Sequence, residues 1–270
     1  MSQAQVLIGE GAVLLTLEDG VAHLRLNRPE ASNGLDIPTL EALNAALLRC
    51  HGERRVRAVL LSGAGANFCA GGDVRTFLTK GEDLPEYVRQ ATLLLQNVIS
   101  AMIHLDAPVV AAVQGFAAGG GGMGLVCAAD VVFAAESASF LAGATRVAMA
   151  PDAGLSVTLP RLVGPRKAAD MLLLNPVVGA AEAQVSGLIN RVVADTELEA
   201  AAADYARRLA QGAPRALAAT KRLLWAGIGL GVDAAMPEES RSVAALCRTV
   251  DVREGLAAVV EKRPARFEGR

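Results

Sequence analysis

The stretch Ala107–Ala135, APVVAAVQGFAAGGGGMGLVCAADVVFAA, decides how the chain is read. Val109–Val113 is a short, largely β-branched apolar run with the signature of a buried strand. Four consecutive glycines, Gly119–Gly122, follow after a short loop. Met123–Ala129 is then small and apolar enough to begin a buried helix, and Val131–Ala135 reads as a second strand. Glycine is costly to order, so a run of them implies a place where side chains are not tolerated. Bare N–H groups can approach a ligand closely, and those at a helix start have no partner within the helix. A strand that delivers such groups to a helix N-terminus makes a site for developing negative charge.

A chain of 270 residues suffices for one large α/β domain, or one domain with an appendage. Its apolar fraction of 52%, mostly Ala, Val and Leu, can supply a sizeable core. Aromatic residues make up only 3%, which argues against the base-stacking surfaces of nucleic-acid binders. A formal net charge of -2 supplies no basic field for a polyanion, whereas a small anionic ligand needs only a local patch. Cys50, Cys69, Cys127 and Cys247 are scattered, with no C-x-x-C pair and no histidine at ligand spacing, so reduced thiols and no metal are expected. The start MSQAQVLIGEG lacks the basic region and long apolar run of a signal peptide, which leads to an expected cytoplasmic location. Val109–Ala129 is uncharged and long enough to span a bilayer. Its six glycines, Gln114 and strand-like start point instead to a buried core, and no membrane partner is expected.

Along the chain, Ala12–Leu17 and Val21–Leu26 alternate around Asp19-Gly20, the pattern of a β-hairpin. Asp36 can cap a helix running to about Cys50, with Leu40, Leu43 and Leu47 on one face. Val59–Leu61 is a short buried strand ending in the glycine-rich loop Ser62–Asp73. A long helix is expected over Pro85–His104, and further helices over Ala153–Arg161, Arg166–Leu174 and Ala181–Gly187, before a strand at Leu188–Val193. From Asp195 onward the pattern is helical only, over Leu198–Gln211, Pro214–Ala226, Glu238–Val250 and Val252–Lys262. This shift from mixed α/β to all-α divides the chain into residues 1–195 and 196–270.

Two glycine-rich turns, Gly71-Gly72 and Gly119–Gly122, each follow a buried strand. Their N–H groups can converge on one oxygen as an oxyanion hole, or both can be tight turns against a packed sheet. Gly119-x-Gly121-x-x-Gly124 also matches the dinucleotide fingerprint, but Gln114–Ala118 separates it from its strand and it sits mid-chain. There is no G-x-S-x-G elbow, and His23, His51 and His104 stand in no catalytic pattern. Carboxylates remain. Asp152, in Pro151-Asp152-Ala153-Gly154, has two readings: an N-cap for the following helix, or a proton shuttle whose pKa is raised in an apolar pocket. Asp73 and Asp130 read as turn anchors beside their glycines, and Glu182 as a solvated helix residue.

These residues match a family. The chain resembles the crotonase superfamily, the enoyl-CoA hydratases and isomerases, almost from end to end. The resemblance is carried by LNRPEASNGLD (Leu26–Asp36), NFCAGGDV (Asn67–Val74), VQGFAAGGGGMGLVCAADVVFAAESASF (Val113–Phe140), PRLVG (Pro160–Gly164) and DVREGLAAVVEKRPARF (Asp251–Phe267). It implies an α/β fold, a spiral of ββα units, with a C-terminal all-α trimerisation region that builds trimers or hexamers. Residues 1–195 would then bind and transform the CoA ester, and 196–270 would form the oligomerisation region.

The implied ligand is an acyl-CoA thioester, with no cofactor beyond its CoA moiety. Its carbonyl would sit between the N–H of Gly72 and one from the glycine run, Gly120 counted from Gly115 or Gly121 counted from Asp130. Ala70, Gly71 and Asp73 of the same motif, with Arg28, Lys262 and Phe267, are implied near the CoA, the last two from a neighbouring subunit. The two glutamates of the family's hydratases fall here on Met123 or Gly124 and on Ala144, which cannot move a proton. Asp152 falls where ring-epoxide isomerases and chlorobenzoyl-CoA dehalogenases of the family carry a working aspartate. An enoyl-CoA isomerase is the expected activity. A hydratase with a rearranged site and a non-catalytic CoA-ester binder are the alternatives. A dehalogenase would need an aromatic cradle, and this sequence is poor in aromatic residues. The segment Thr76–Glu86 is expected to be mobile and to cover the acyl group.

Overall fold

The structure is a computed structural model that describes residues 4–270. Its first strands, β1 (Gln5–Ile8), β2 (Val13–Glu18) and β3 (Val21–Leu26), pair antiparallel in turn. Asp19 and Gly20, with φ of 46° and 84°, make the turn between β2 and β3. Two positive φ values in succession match the twist of the flanking strands. Along β2, Val13, Leu15 and Leu17 are buried while the residues between them are half exposed, the period of a strand with one packed face. Asp36 caps α1 (Ile37–Gly52), its Oδ1 accepting the Thr39 N–H at 2.9 Å, and Leu40, Leu43 and Leu47 turn inward at helical spacing.

The chain continues through β4 (Ala58–Gly63), α2 (Val74–Leu78), α3 (Leu84–His104), β5 (Val109–Val113), β6 (Phe116–Ala118), α4 (Gly119–Ala128), β7 (Val131–Ala135) and β8 (Ser139–Leu141). Next come α5 (Leu155–Val163), α6 (Pro165–Leu173), β9 (Val178–Gly179), α7 (Ala180–Val185) and β10 (Arg191–Val193). Four helices close it: α8 (Leu198–Ala210), α9 (Pro214–Gly227), α10 (Val232–Leu246) and α11 (Val250–Glu261).

The main sheet has the order β1-β2-β3-β4-β5-β7-β10 and is parallel from β3 onward. Strands β4 and β5 are buried almost without interruption, as parallel strands covered on both faces must be. After each parallel strand the chain steps sideways into a second, narrower ladder and then into a helix. β3 leads to Leu35, which bridges Gly72, and then to α1; β4 leads to Cys69, which bridges Ala117, and then to α2 and α3. β5 leads to β6, which pairs parallel with β8, and then to α4. The repeated unit is therefore strand, short strand, helix, wound into the spiral that the resemblance implies.

Three features differ from the sequence reading. The short strands β6, β8 and β9 form a sheet of their own, with β6 in the place of the loop expected before the glycine run. The glycine run is not a loop before the helix but the first turn of α4. A Cβ on Gly121 would lie 2.7 Å from Leu35 Cδ1, and one on Gly122 would overlap the Cys69 carbonyl oxygen, so packing overrides the poor helix propensity of glycine. Helix α10 begins at Val232 rather than at Glu238, running through Pro237.

The first helices after residue 195 still pack on the core. Helix α8 lies along β4, β5 and β7 and buries Ala202, Ala206 and Ala210 in the central core. Helix α9 is tied to the same core by Lys221, which is 5% exposed. Its Nζ donates to the carbonyls of Met102 (2.8 Å) and Ala107 (3.2 Å) and pairs with Asp130 Oδ2 at 2.9 Å. Trp225 Nε1 donates to the other Asp130 oxygen at 3.0 Å. Burial lowers the Lys221 pKa, and Asp130 opposes that shift. Among the described residues no helix is long and apolar enough to cross a membrane. Replacing Lys221 by Met leaves the half-buried Asp130 without its counter-charge and the Met102 and Ala107 carbonyls without their donor, so Lys221→Met should cost about 2 kcal/mol of stability, read as a lower urea midpoint with an unchanged slope.

Candidate active site

The site is built where the second ladder meets the helix starts. Cys69 N–H donates to Phe116 O (3.0 Å) and Ala118 N–H to Cys69 O (2.9 Å), while Leu35 N–H donates to Gly71 O (2.8 Å) and Asp73 N–H to Leu35 O (3.1 Å). Three successive turns of the spiral are thereby stacked backbone on backbone. Gly71, at φ +92°, adopts a conformation that other residues resist. A Cβ there would also come within 2.7 Å of the Ala118 carbonyl oxygen. A Cβ on Gly119 would lie 3.3 Å from Gly71 Cα and 3.8 Å from Gly72 N. The two glycine turns are in contact because neither carries a side chain.

Amide side chains lock this stack. Asn33, 1% exposed, donates from Nδ2 to the carbonyls of Ala64 (2.9 Å) and Asn67 (2.8 Å). Asn67 donates to Ser32 Oγ (3.1 Å) and accepts the Phe116 N–H (3.0 Å), and Gln114 Nε2 donates to Gly63 O (2.7 Å). These residues lie inside the motifs quoted above, but their roles depend on pairings between distant loops.

The result is a cavity of about 270 Å³ lined by Gly72, Gly120, Gly121 and Asp152, with Phe77 and Leu95 among its apolar walls. Among the described residues, the Gly72 N–H has no hydrogen-bond acceptor. Gly119, Gly120 and Gly121 are the first residues of α4, whose N-cap, Ala118, has no side chain able to accept from them. Their N–H groups have no partner in the helix, and the helix dipole adds positive potential at that end. Residues with unpartnered N–H groups from two turns thus border one largely apolar space, an arrangement suited to holding a developing oxyanion.

Asp152 completes the cavity. The N-cap reading does not hold: α5 starts at Leu155 behind Gly154, and no helix N–H reaches the Asp152 carboxylate. Its backbone carbonyl takes the Leu155 N–H at 3.0 Å instead, leaving the side chain free to point into the cavity wall. The carboxylate rests against Gly120 so closely that a Cβ there would overlap Oδ1. Burial raises the Asp152 pKa above the usual aspartate value, opposed only by its own N–H.

The remaining sequence candidates divide. Ala70 lines the cavity, and Gly71 lies behind it in the glycine contact. Arg28 is turned into the protein: Nη1 donates to Gly34 O (2.7 Å) and pairs with Asp36 (3.1 Å), and Nη2 pairs with Asp73 (3.3 Å). Asp73 also caps α2, accepting the Thr76 N–H at 3.1 Å. Burial would raise its pKa, but the bonds from Thr76 and Arg28 outweigh that and hold it low. Lys262 and Phe267 border a different cavity, between α9, α11 and the C-terminal tail, and do not meet Asp152 within one chain. Ala144 is on the cavity wall, whereas Met123 is fully buried in the core and Gly124 packs on Ala153. Among the described residues no histidine lines the cavity. Cys69 and Cys127 are buried thiols pushed up to about 12.

A family model described as enoyl-CoA hydratase/isomerase matches residues 16–270. A relative in Rhodobacter capsulatus, bearing the name "Probable enoyl-CoA hydratase", is 39% identical over 254 residues, covering 94% of this chain and 96% of its own. An Arthrobacter protein named 4-chlorobenzoyl coenzyme A dehalogenase-2 is 35% identical over 194 residues, covering 71% of this chain and 70% of its own. The crystal structure of an enoyl-CoA hydratase from Bacillus anthracis superposes with a TM-score of 0.91 at 32% identity, over 96% of this chain and all (100%) of that one.

The half-buried carboxylate also has a cost. A carboxyl whose pKa is raised by folding binds its proton more tightly in the folded state, so its stabilising contribution is lost as pH rises through the folded pKa. Asp152→Asn removes that loss. The variant should melt at a higher temperature than the wild type at neutral pH, and the difference should shrink as the pH falls below the ordinary aspartate range.

Proposed function

The chain belongs to the enoyl-CoA hydratase/isomerase family, and from that premise we propose that it moves a double bond along the acyl chain of an enoyl-CoA thioester. The observation that carries the reading is the solitary carboxylate: Asp152 is the only acidic side chain on the cavity wall among the described residues. Where the family's hydratases place a pair of glutamates, this chain has Ala144 on the wall and either Met123 in the core or Gly124 against Ala153. One carboxylate suits a reaction in which a proton leaves one carbon and returns to another.

In this reading the thioester oxygen lies between the N–H groups of Gly72 and Gly120. Gly121 is the alternative second donor, and Gly120 is favoured by its contact with Asp152. Asp152, ionised, takes a proton from C2 of a 3-enoyl thioester. The electron pair of that bond moves towards the carbonyl, and the resulting enolate oxygen is held by the two donors. The enolate then collapses, forming the C2–C3 double bond, and Asp152 gives its proton to C4. Donors that bind the enolate more strongly than the ground-state carbonyl lower the barrier. The raised pKa of Asp152 brings it closer to the range in which one group can both take and return a proton.

The names of the relatives favour a hydratase as the second reading, with water activated at Asp152 alone. A dehalogenase is disfavoured, because Phe77 is the only aromatic side chain on the wall among the described residues. The apolar side chains exposed on the last three helices, such as Leu224 (68%), Leu256 (65%) and Val260 (82%), support association of copies into a trimer or hexamer. Lys262 and Phe267 would then face a neighbour's CoA. The cysteines, none of them in a disulfide among the described residues, fit a reducing cytoplasm.

Activity on 3-enoyl-CoA and 2-enoyl-CoA esters tests the reading. The wild type should convert 3-enoyl to 2-enoyl ester, with the acid limb of its pH–rate profile above that of an ordinary aspartate. Asp152→Asn should lose about 10³-fold in kcat while still binding the ester. Hydration of 2-enoyl ester that persists in Asp152→Asn would overturn the assignment. Gly120→Ala, whose methyl displaces the carboxylate, should lose about 10²-fold in kcat.

A further inference from the structure

Phe77 stands where the mechanism has no assigned part. It lies on α2, in the segment read from sequence as a mobile cover, and its ring is on the cavity wall. The ring is seated on Gly72 itself: a Cβ there would come within 2.7 Å of Cζ and 3.0 Å of Cε2. It is therefore beside the N–H assigned to the thioester oxygen.

The ring is held from several sides. Asp73, paired with Arg28, caps α2, and the Phe77 N–H donates to the Asp73 carbonyl at 3.0 Å. Tyr87 meets the ring edge to face at 6.0 Å between centroids and 69° between planes. Its hydroxyl accepts the Ile37 N–H at 3.2 Å, and Lys80 Nζ lies 4.4 Å from the centre of the Tyr87 ring. Such a side chain is placed with little freedom, on the reacting end of a largely apolar cavity.

We infer that Phe77 is the wall that keeps water from the thioester oxygen at Gly72, so that the proton removed by Asp152 returns to the substrate instead of passing to solvent. The inference rests on the isomerase reading. A single carboxylate that has just taken a proton exchanges it with any water able to reach it. An excluded solvent also strengthens the hydrogen bonds to the enolate. Arg28 and Asp73 then act through the wall, as supports of α2 rather than as ligands of the CoA. The apolar lining extends the same logic to the substrate, an enoyl ester with an apolar acyl chain that fills the cavity and completes the seal.

The test is isomerisation of a medium-chain 3-enoyl-CoA in deuterium oxide, counting solvent deuterium at C4 of the product per turnover. The wild type should incorporate clearly less than one atom. Phe77→Ala should incorporate severalfold more, approaching one, and should raise the ratio of hydration to isomerisation. Phe77→Leu, which keeps an apolar plug, should fall between the two and carries the comparison by itself if the alanine variant does not fold. Thermal melts identify a loss of fold. Isomerisation by all variants with unchanged deuterium content would overturn the wall and leave the isomerase reading intact. A wild type that hydrates 2-enoyl ester and moves no double bond would overturn both, since water would then reach the site past Phe77.

Discussion

The contact on which the structure depends is glycine on glycine. Gly71 and Gly119 touch backbone to backbone, and this lets two turns of the spiral close to a spacing that a single methyl group would prevent. Everything that faces the cavity inherits its position from that contact: the free N–H of Gly72, the bare first turn of α4, and the carboxylate of Asp152 against Gly120. The entropy of ordering so many glycines is a cost of folding. It is offset by the parallel ladder, by the buried amide of Asn33 and by the apolar core beneath.

Local chemistry was readable in the chain where it is local. The Asp19-Gly20 turn, the Asp36 cap and the inward leucines of α1 each follow from a few neighbouring residues, and the structure has them where their spacing places them. The second sheet was not readable, because β6, β8 and β9 are too short to show a period and exist only through partners far along the chain. The same reason explains the glycine run. Intrinsic propensity puts it outside a helix, whereas Leu35, Cys69 and Asp152 crowd it from three other segments and leave room only for a side-chain-free helical turn.

The site shows the same division. Gly72, Gly120, Gly121 and Asp152 could be nominated from motifs, since glycine-rich turns after strands and an unexplained carboxylate are visible in one dimension. The environment that gives them chemistry could not. Phe77 and Tyr87 meet across the end of α3, and Arg28 is bound to two aspartates rather than left as a free cation. Residues with a charge are easier to nominate than residues with a shape, because the place of the Phe77 ring is set by Gly72 and Tyr87, which lie elsewhere in the chain.

Helix α8 bears on how the protein is made. Among the described residues, α8 is the helix that packs most extensively along β4, β5 and β7, and the small residues with which it seals them end at Ala210. On a ribosome, the parallel strands of the core are therefore synthesised well before their cover. Until the stretch through Ala210 has left the exit tunnel, the nascent chain holds an unfinished sheet with one oily side bare. That interval is when it is most exposed to aggregation and most dependent on a chaperone.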